Sequence, residues 1–208
     1  MEQAKRSYRS PRRDAQAQDT RARLLASARR LFAETGWTRT TLKAVAVDAG
    51  VAEPTVYAIF QSKSGLAVAL LDAVDSAADL TRLTADLGQP GATPREQILA
   101  VAAFERRMYE GAGDLIRLLR DGASLDDDLA AAYQDGVGRS EFGWRRLISN
   151  WPAGTLRAGV DAERAVSVAL LACSLATFDL LHLERGWPLD QVEQWCGELL
   201  LRELIGVS

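Results

Sequence analysis

The sequence predicts an all-α protein in two parts, a small helix-turn-helix head and a larger helical bundle. Three observations predict it. The chain of 208 residues is 48% hydrophobic and holds only 6 Pro, and it shows helical spacing with no strand-like alternation. Residues 40–66 (TTLKAVAVDAGVAEPTVYAIFQSKSGL) read as two short helices about a Gly-centred turn, a unit that lays its second helix in the DNA major groove. Charge is also divided. Residues 1–63 carry 12 Lys+Arg against 6 Asp+Glu, and the remainder carries 13 against 22. A basic head on an acidic body suits a protein that offers one face to a polyanion.

The elements follow from periodicity and punctuation. Residues 5–13 (KRSYRSPRR) are polar, basic and interrupted by Pro11. Residues 1–18 are therefore expected to be a disordered arm that reaches phosphates or the minor groove, with Arg13 among its contacts. A solvated tail is the plain alternative. A first helix is expected from Asp19 to Thr35, with Leu24, Leu25, Ala28, Leu31 and Phe32 as its stripe and Gly36 as its stop. In the reading unit, Thr40 or Thr41 caps the next helix and Gly50 takes the positive φ that ends it. The reading helix runs from about Glu53 to Ile59. Pro54 is tolerable only in a first helical turn, so it marks the start. Helix 4 begins near Ser62 and continues toward Asp86, bridging head and body. Residues 88–94 (GQPGATP) are the clearest loop. Further helices are expected over residues 94–110, 114–122, 126–150, 161–185 and 189–205, about nine in all. This divides the chain into an arm (1–18), a head (19–65) and a body (66–208).

With those residues in view, the chain resembles a TetR-type transcriptional regulator. The resemblance rests on Leu24, Leu25, Ala28, Leu31, Phe32, Gly36 and Trp37, then on Thr40-Thr41, Val45-Ala46 and Ala49-Gly50-Val51. It continues through Thr55, Val56-Tyr57, Phe60, Ser62-Lys63 and Leu66, covering about the first 70 residues. The rest matches only in general plan. The resemblance implies that Thr41, Thr55, Tyr57 and Lys63 touch DNA, mainly at phosphates. Thr40 and Lys43 join that expected face. Glu53 is expected either to accept from a cytosine amino group or merely to cap the helix or pair with a neighbour, and Pro54 to meet a thymine methyl. Two positions depart from the usual pattern. Ala52 stands where Ser commonly caps the reading helix, a loss of about 1 kcal/mol. Ile59 stands where the family often has His.

The body is expected to dimerise and to bind a ligand. The helix over 161–185 is apolar nearly all round from Ala165 to Phe178, and the last helix adds Val192, Trp195, Cys196, Leu199, Leu200 and Leu204. Such helices need cover on more than one side. A homodimer through these two helices, numbered 8 and 9, supplies it and gives a two-fold match to a palindromic operator in double-stranded DNA. Phe104, Met108, Tyr109, Leu118, Tyr133, Phe142, Trp144 and Phe178 are either plain core or the lining of a pocket for a small apolar or aromatic effector. Gly136, Gly138 and Gly143 fall within one predicted helix, where each costs ~1 kcal/mol relative to Ala. They suggest close helix approach, a kink, or a segment that opens around a ligand.

Other functions find little support. There is no G-x-S-x-G elbow, no phosphate-binding Gly loop, and His182 is the single histidine, so no catalytic residue, metal site or cofactor is expected. A helical-bundle enzyme is the alternative from another class, and a DNA-binding regulator without a ligand switch is the nearer one. The uncharged run 165–178 is shorter than the ~20 residues a bilayer span needs. The basic N-terminus lacks the apolar segment of a signal peptide. Cytoplasmic residence at the nucleoid is expected, with Cys173 and Cys196 as buried free thiols.

Overall fold

The computed structural model describes the backbone of residues 11–77 and 80–206, and the side chains of residues 14–71 and 80–206. The helices are α1 (Pro11–Arg39), α2 (Leu42–Ala49), α3 (Glu53–Phe60), α4 (Lys63–Ala77), α5 (Leu80–Leu87), α6 (Pro94–Gly122), α7 (Asp127–Ser149), α8 (Ala162–Ala172), α9 (Leu175–Phe178) and α10 (Leu189–Leu204). A π-helical segment, Asp179–Glu184, follows α9 directly. The chain divides into two compact units, Met1–Leu70 and Leu71–Ser208.

In the first unit, Leu24, Ala28 and Phe32 of α1 are buried with Leu42, Val45 and Ala46 of α2 and Val56 and Phe60 of α3. These are the stripe positions that sequence spacing assigns to the inside. Gly36 breaks α1 with φ 75 and ψ 175, where the stop was expected. The start differs. Helix begins at Pro11, so residues 11–18 of the expected disordered arm are helical. Proline at the opening of a helix forfeits no hydrogen bond, and Ala15, Gln16 and Gln18 propagate helix well. Residues 1–10 lie outside the described residues. The unit boundary also falls inside α4 rather than before it, because Leu66, Ala67, Ala69 and Leu70 are buried with the head.

The second unit is built on α6, which packs against α5, α7, α9 and α10. Its start is a full capping box between Thr93 and Glu96. Two helices were expected here, and the structure has one. Gly111 and Gly113 do not interrupt it, and Gly113 is buried against the Tyr109 ring. The converse holds for the expected helix over 161–185. Cys173 leaves helical geometry, and Ser174 is extended with its hydroxyl accepting from Thr177 N–H, so a fresh cap restarts the chain as α9. In α7 the three glycines sit in an unbroken helix, and a Cβ at Gly136, Gly138 or Gly143 would meet nothing within 4 Å. Among the described residues the expected close approach is not found, and α7 runs through all three glycines without a break.

The main core gathers Ile98, Val101, Trp144, Ile148, Val166, Ala169, Leu200 and Leu204. A second cluster holds Tyr109, Phe178, Val192 and Cys196. The loop after α7 is tied to the end of α10 by Arg157 N–H on Leu204 O at 2.9 Å, and Trp151 Nε1 donates to Gln97 at 2.8 Å. Ala162–Glu184 is long and apolar enough to cross a membrane by length and composition, and 22% of its most apolar window is buried.

Candidate nucleic-acid interface and effector site

The reading helix is held by backbone geometry at both ends. Thr41 Oγ1 accepts from Ala44 N–H at 3.1 Å and caps α2. Gly50 sits at φ 63 and ψ 39, with its N–H on the last carbonyls of α2. Ala52 offers no side-chain cap to α3, and Pro54 falls in the first turn. At the far end Gln61 takes a positive φ of 64. A Cβ at Gly65 would run into the Phe60 carbonyl oxygen. The junction from α3 to α4 therefore needs glycine.

Pro54, Tyr57, Ala58 and Gln61 form the exposed row of α3, opposite buried Val56 and Phe60. Thr41 and Lys43 on the α2 side are exposed, and Glu53 and Thr55 are partly so. Val47, at 74% exposure, and Ala58 complete this surface. Neither signalled itself in the sequence, since an exposed apolar residue on a short helix looks like any core position. The side chain of Arg13 lies outside the described residues.

Two expected contacts are differently employed. Thr40 is 2% exposed, and its hydroxyl is shared among Thr35 Oγ1, Gly36 O and Leu31 O. It stitches the turn after α1 rather than presenting a hydroxyl outward. Lys63 Nζ donates to Trp37 O at 2.8 Å and Thr40 O at 3.1 Å, and lies 4.1 Å from the Trp37 ring centre. An ammonium so placed clamps α4 to the end of α1. Part of the basic surplus is likewise spent inside the head. Arg21 covers the Phe60 ring at 4.9 Å, and Arg23 donates to Ala49 O at 3.1 Å. Arg30 pairs with Asp48, holding that carboxyl below its usual range.

The proposed pocket residues do not form one set. Trp144, with Phe104 packed beside it, belongs to the main core. Tyr109 and Phe178 stack at 4.9 Å in the other cluster. Met108, Leu118 and Tyr133 are partly buried. Phe142 is 65% exposed; its place on the outer face of α7 removes it from any internal lining. Beside these rings lies a charged network that sequence reasoning missed. Asp179 accepts from Tyr109 at 2.8 Å, Arg117 at 2.7 Å and Arg120 at 3.1 Å. Burial alone would raise the Asp179 carboxyl, but these donors outweigh it and leave it lowered. Burial and the Asp179 contact push Tyr109 up to about 12. The missed signal was Asp179 itself, a carboxylate on an otherwise apolar segment. Cys196 is buried and Cys173 partly so, both free, and burial pushes the Cys196 thiol up to about 12.

Comparison with known proteins agrees with this geometry. Residues 24–70 match the family described as bacterial regulatory proteins, tetR family. No curated protein sequence matches the chain significantly. Among solved structures, native NalD of Pseudomonas aeruginosa, the secondary repressor of the MexAB-OprM multidrug efflux pump, superposes with a TM-score of 0.73 at 23% identity, over 91% of this chain and 98% of that one. A protein of Saccharomonospora viridis described as a transcriptional regulator, in complex with choline, gives 0.72 at 18% identity over 91% and 100%. A TetR-family protein of Syntrophomonas wolfei gives 0.72 at 12% identity over 88% and 93%. Residues 24–70 thus form a head of the tetR-family type, and the chain as a whole shares the fold of solved TetR-family transcriptional regulators.

Proposed function

We propose that the protein is a ligand-responsive repressor that binds a palindromic operator as a homodimer and is released by a small effector. The observation that carries the DNA-reading role is the exposed row of α3, set by a Gly50 turn on one side and a Gly65 junction on the other. A helix so held can enter the major groove with Glu53, Pro54 and Tyr57 leading. Thr41, Lys43, Thr55 and Tyr57 are the proposed backbone contacts, which fix register without reading sequence. Effector binding in the body is proposed to shift α4 and so change the spacing of the two heads. The solved relative with choline shows that this fold accommodates a small ligand in at least one protein. The role is binding rather than catalysis, carried out in the cytoplasm on nucleoid DNA.

The homodimer supplies the cover that Ala162–Glu184 lacks. Leu171, Leu180 and Leu183 are exposed at 70%, 43% and 57%. The break at Ser174 and the Asp179 ion pairs suit a docked protein surface better than a bilayer, where charged groups are costly. Selection of bound sequences from a random DNA pool tests the reading directly. A two-fold site with a cytosine preference in each half is expected, and Glu53→Gln should relax that preference at one position while keeping or raising overall affinity. Recovery of no symmetric site would reject the dimeric operator.

A further inference from the structure

One residue of the head holds a backbone shape that its side chain disfavours. Gln61, between α3 and α4, stands at φ 64 and ψ −42. Among the described residues no other non-glycine takes a positive φ. The Gln61 N–H closes the last turn of α3 on Tyr57 O at 2.9 Å, and the next N–H, of Ser62, turns straight back onto Phe60 O at 2.7 Å. Such a bond across one central residue of positive φ and negative ψ makes the rare, strained form of γ-turn. Glycine is the ordinary occupant of a shape like this.

The flanking helices force the turn. Ser62 starts α4, its hydroxyl accepting from Gly65 N–H at 2.9 Å and its carbonyl from Leu66 N–H at 3.1 Å. Gly65 lies so close to Phe60 O that a Cβ cannot enter. Gln61 alone separates the end of α3 from this cap, so the whole reversal falls on its φ and ψ. The chain has glycine at position 65, where the backbone excludes a side chain, yet it keeps glutamine at 61, where the backbone also favours glycine.

No internal contact explains the glutamine. Its side chain is exposed, and among the described residues its amide joins no hydrogen bond. Its N–H still bonds within the last turn of α3, so its Cα continues the exposed row of Pro54, Tyr57 and Ala58 at i, i+3, i+4 and i+7. Strain that the surroundings hold in place gathers at functional sites.

We propose that Gln61 is a base-reading residue of the head and that it takes an adenine in the major groove. The proposal rests on the DNA-reading role of α3 stated above. A primary amide sets a donor beside an acceptor, which match N7 and the N6 amino group of adenine. A phosphate has acceptors only, would use half of that pair, and is better served by a cation. Ala58, three residues earlier in the row, is too small to hold the helix off the base edges. Positions 54 and 61 are seven residues apart, about 10 Å of helix axis and about three base-pair steps along the groove.

The test is selection of bound duplexes from a random pool by the full wild-type chain, Gln61→Gly and Gln61→Glu, with affinities for the winning sites and thermal unfolding of each protein. The wild type should prefer adenine at one position of each half-site, about three base pairs from the position that Glu53→Gln relaxes. Gln61→Gly should lose that preference, bind the winning site about tenfold more weakly, and melt about 2–4 °C higher because the turn relaxes. Gln61→Glu, of equal reach, should move the preference from adenine to cytosine, whose amino group a carboxylate accepts from. A merely structural residue would move no base preference. Unchanged profiles in both variants would overturn the proposal. So would a loss of affinity equal for every sequence, which would place the amide on a phosphate. A lower melting point for Gln61→Gly would also overturn it, by showing that the side chain serves the fold. A wild-type selection that enriches no sequence would reject the DNA-reading role itself, whereas an enriched site indifferent to position 61 would sink this inference alone.

Discussion

Single side chains of this protein carry roles that their residue type does not announce. Lys63 is the clearest case, because a lysine at the start of a helix in a basic head invites assignment to a phosphate. Its ammonium instead answers two backbone carbonyls and the Trp37 ring. Lys63→Ala should therefore lower the stability of the head by about 1–3 kcal/mol, since loss of the charged donor leaves those carbonyls unsatisfied. Denaturation of the isolated variant measures this, and an unchanged midpoint with a salt slope of DNA binding reduced by about one unit would restore the phosphate role. Glu105 makes a second residue-scale prediction. Its carboxyl is raised from 4.5 to about 7 in the fold, so between those values the folded state holds more protons than the unfolded one. Stability is then fully present below 4.5 and is lost as pH rises through 7, by about 3 kcal/mol in total. Thermal unfolding followed from pH 5.5 to 8 should show a decline that Glu105→Gln lacks. Parallel curves for the two proteins would place the carboxyl in water.

At the scale of elements, junctions matter more than helix interiors. The α3–α4 junction combines the positive φ of Gln61 with the close pass of Gly65 beneath the Phe60 carbonyl. Gly65→Ala must push that carbonyl aside, at a cost of about 1–3 kcal/mol, and should tilt the reading helix. Operator affinity is expected to fall for every sequence alike, which quantitative binding to matched and mismatched sites would reveal. In the body, Asp179 opens the π-helical segment and gathers Tyr109, Arg117 and Arg120 from α6. π-helical turns occur frequently at functional sites. Asp179→Asn keeps the shape but removes the charge that two arginines face. A loss of about 2–4 kcal/mol is expected, with Tyr109 fluorescence changing on titration at lower pH than in the wild type.

For the whole molecule, the question is what covers the apolar face of Ala162–Glu184. The interface test must avoid the core. Leu200 is fully buried within one chain and Leu199 is packed against the same cluster, so an Arg at either position would damage folding and say nothing about assembly. Leu171 and Leu183 are exposed, and Arg there changes the stability of an isolated chain by no more than about 0.5 kcal/mol. Leu171→Arg and Leu183→Arg should yield folded monomers with collapsed operator binding, read by sedimentation and by circular dichroism together. A dimer that persists in both variants would move the interface elsewhere.

The sequence by itself determined the head. The i, i+3, i+4 apolar positions of α1 to α3, the Thr41 cap, the Gly50 turn and the Pro54 start are local signals, settled by neighbours within one or two turns. It also determined that the body is helical and where α7 and α10 begin, since Asp126 caps one and the Gly186–Pro188 stretch precedes the other. What only the tertiary structure decided depends on partners distant in the chain. Thr40 and Lys63 could be read as surface groups until Leu31, Trp37 and their carbonyls stood beside them. Gly113, which failed to break α6, is packed on the Tyr109 ring, while the α8 break comes from a serine cap inside an apolar run. The sequence alone does not separate Glu105 from the many other carboxylates of the body. Glu105 lies on the stripe that α6 turns to α10, and only that packing strips its carboxyl of water and raises it.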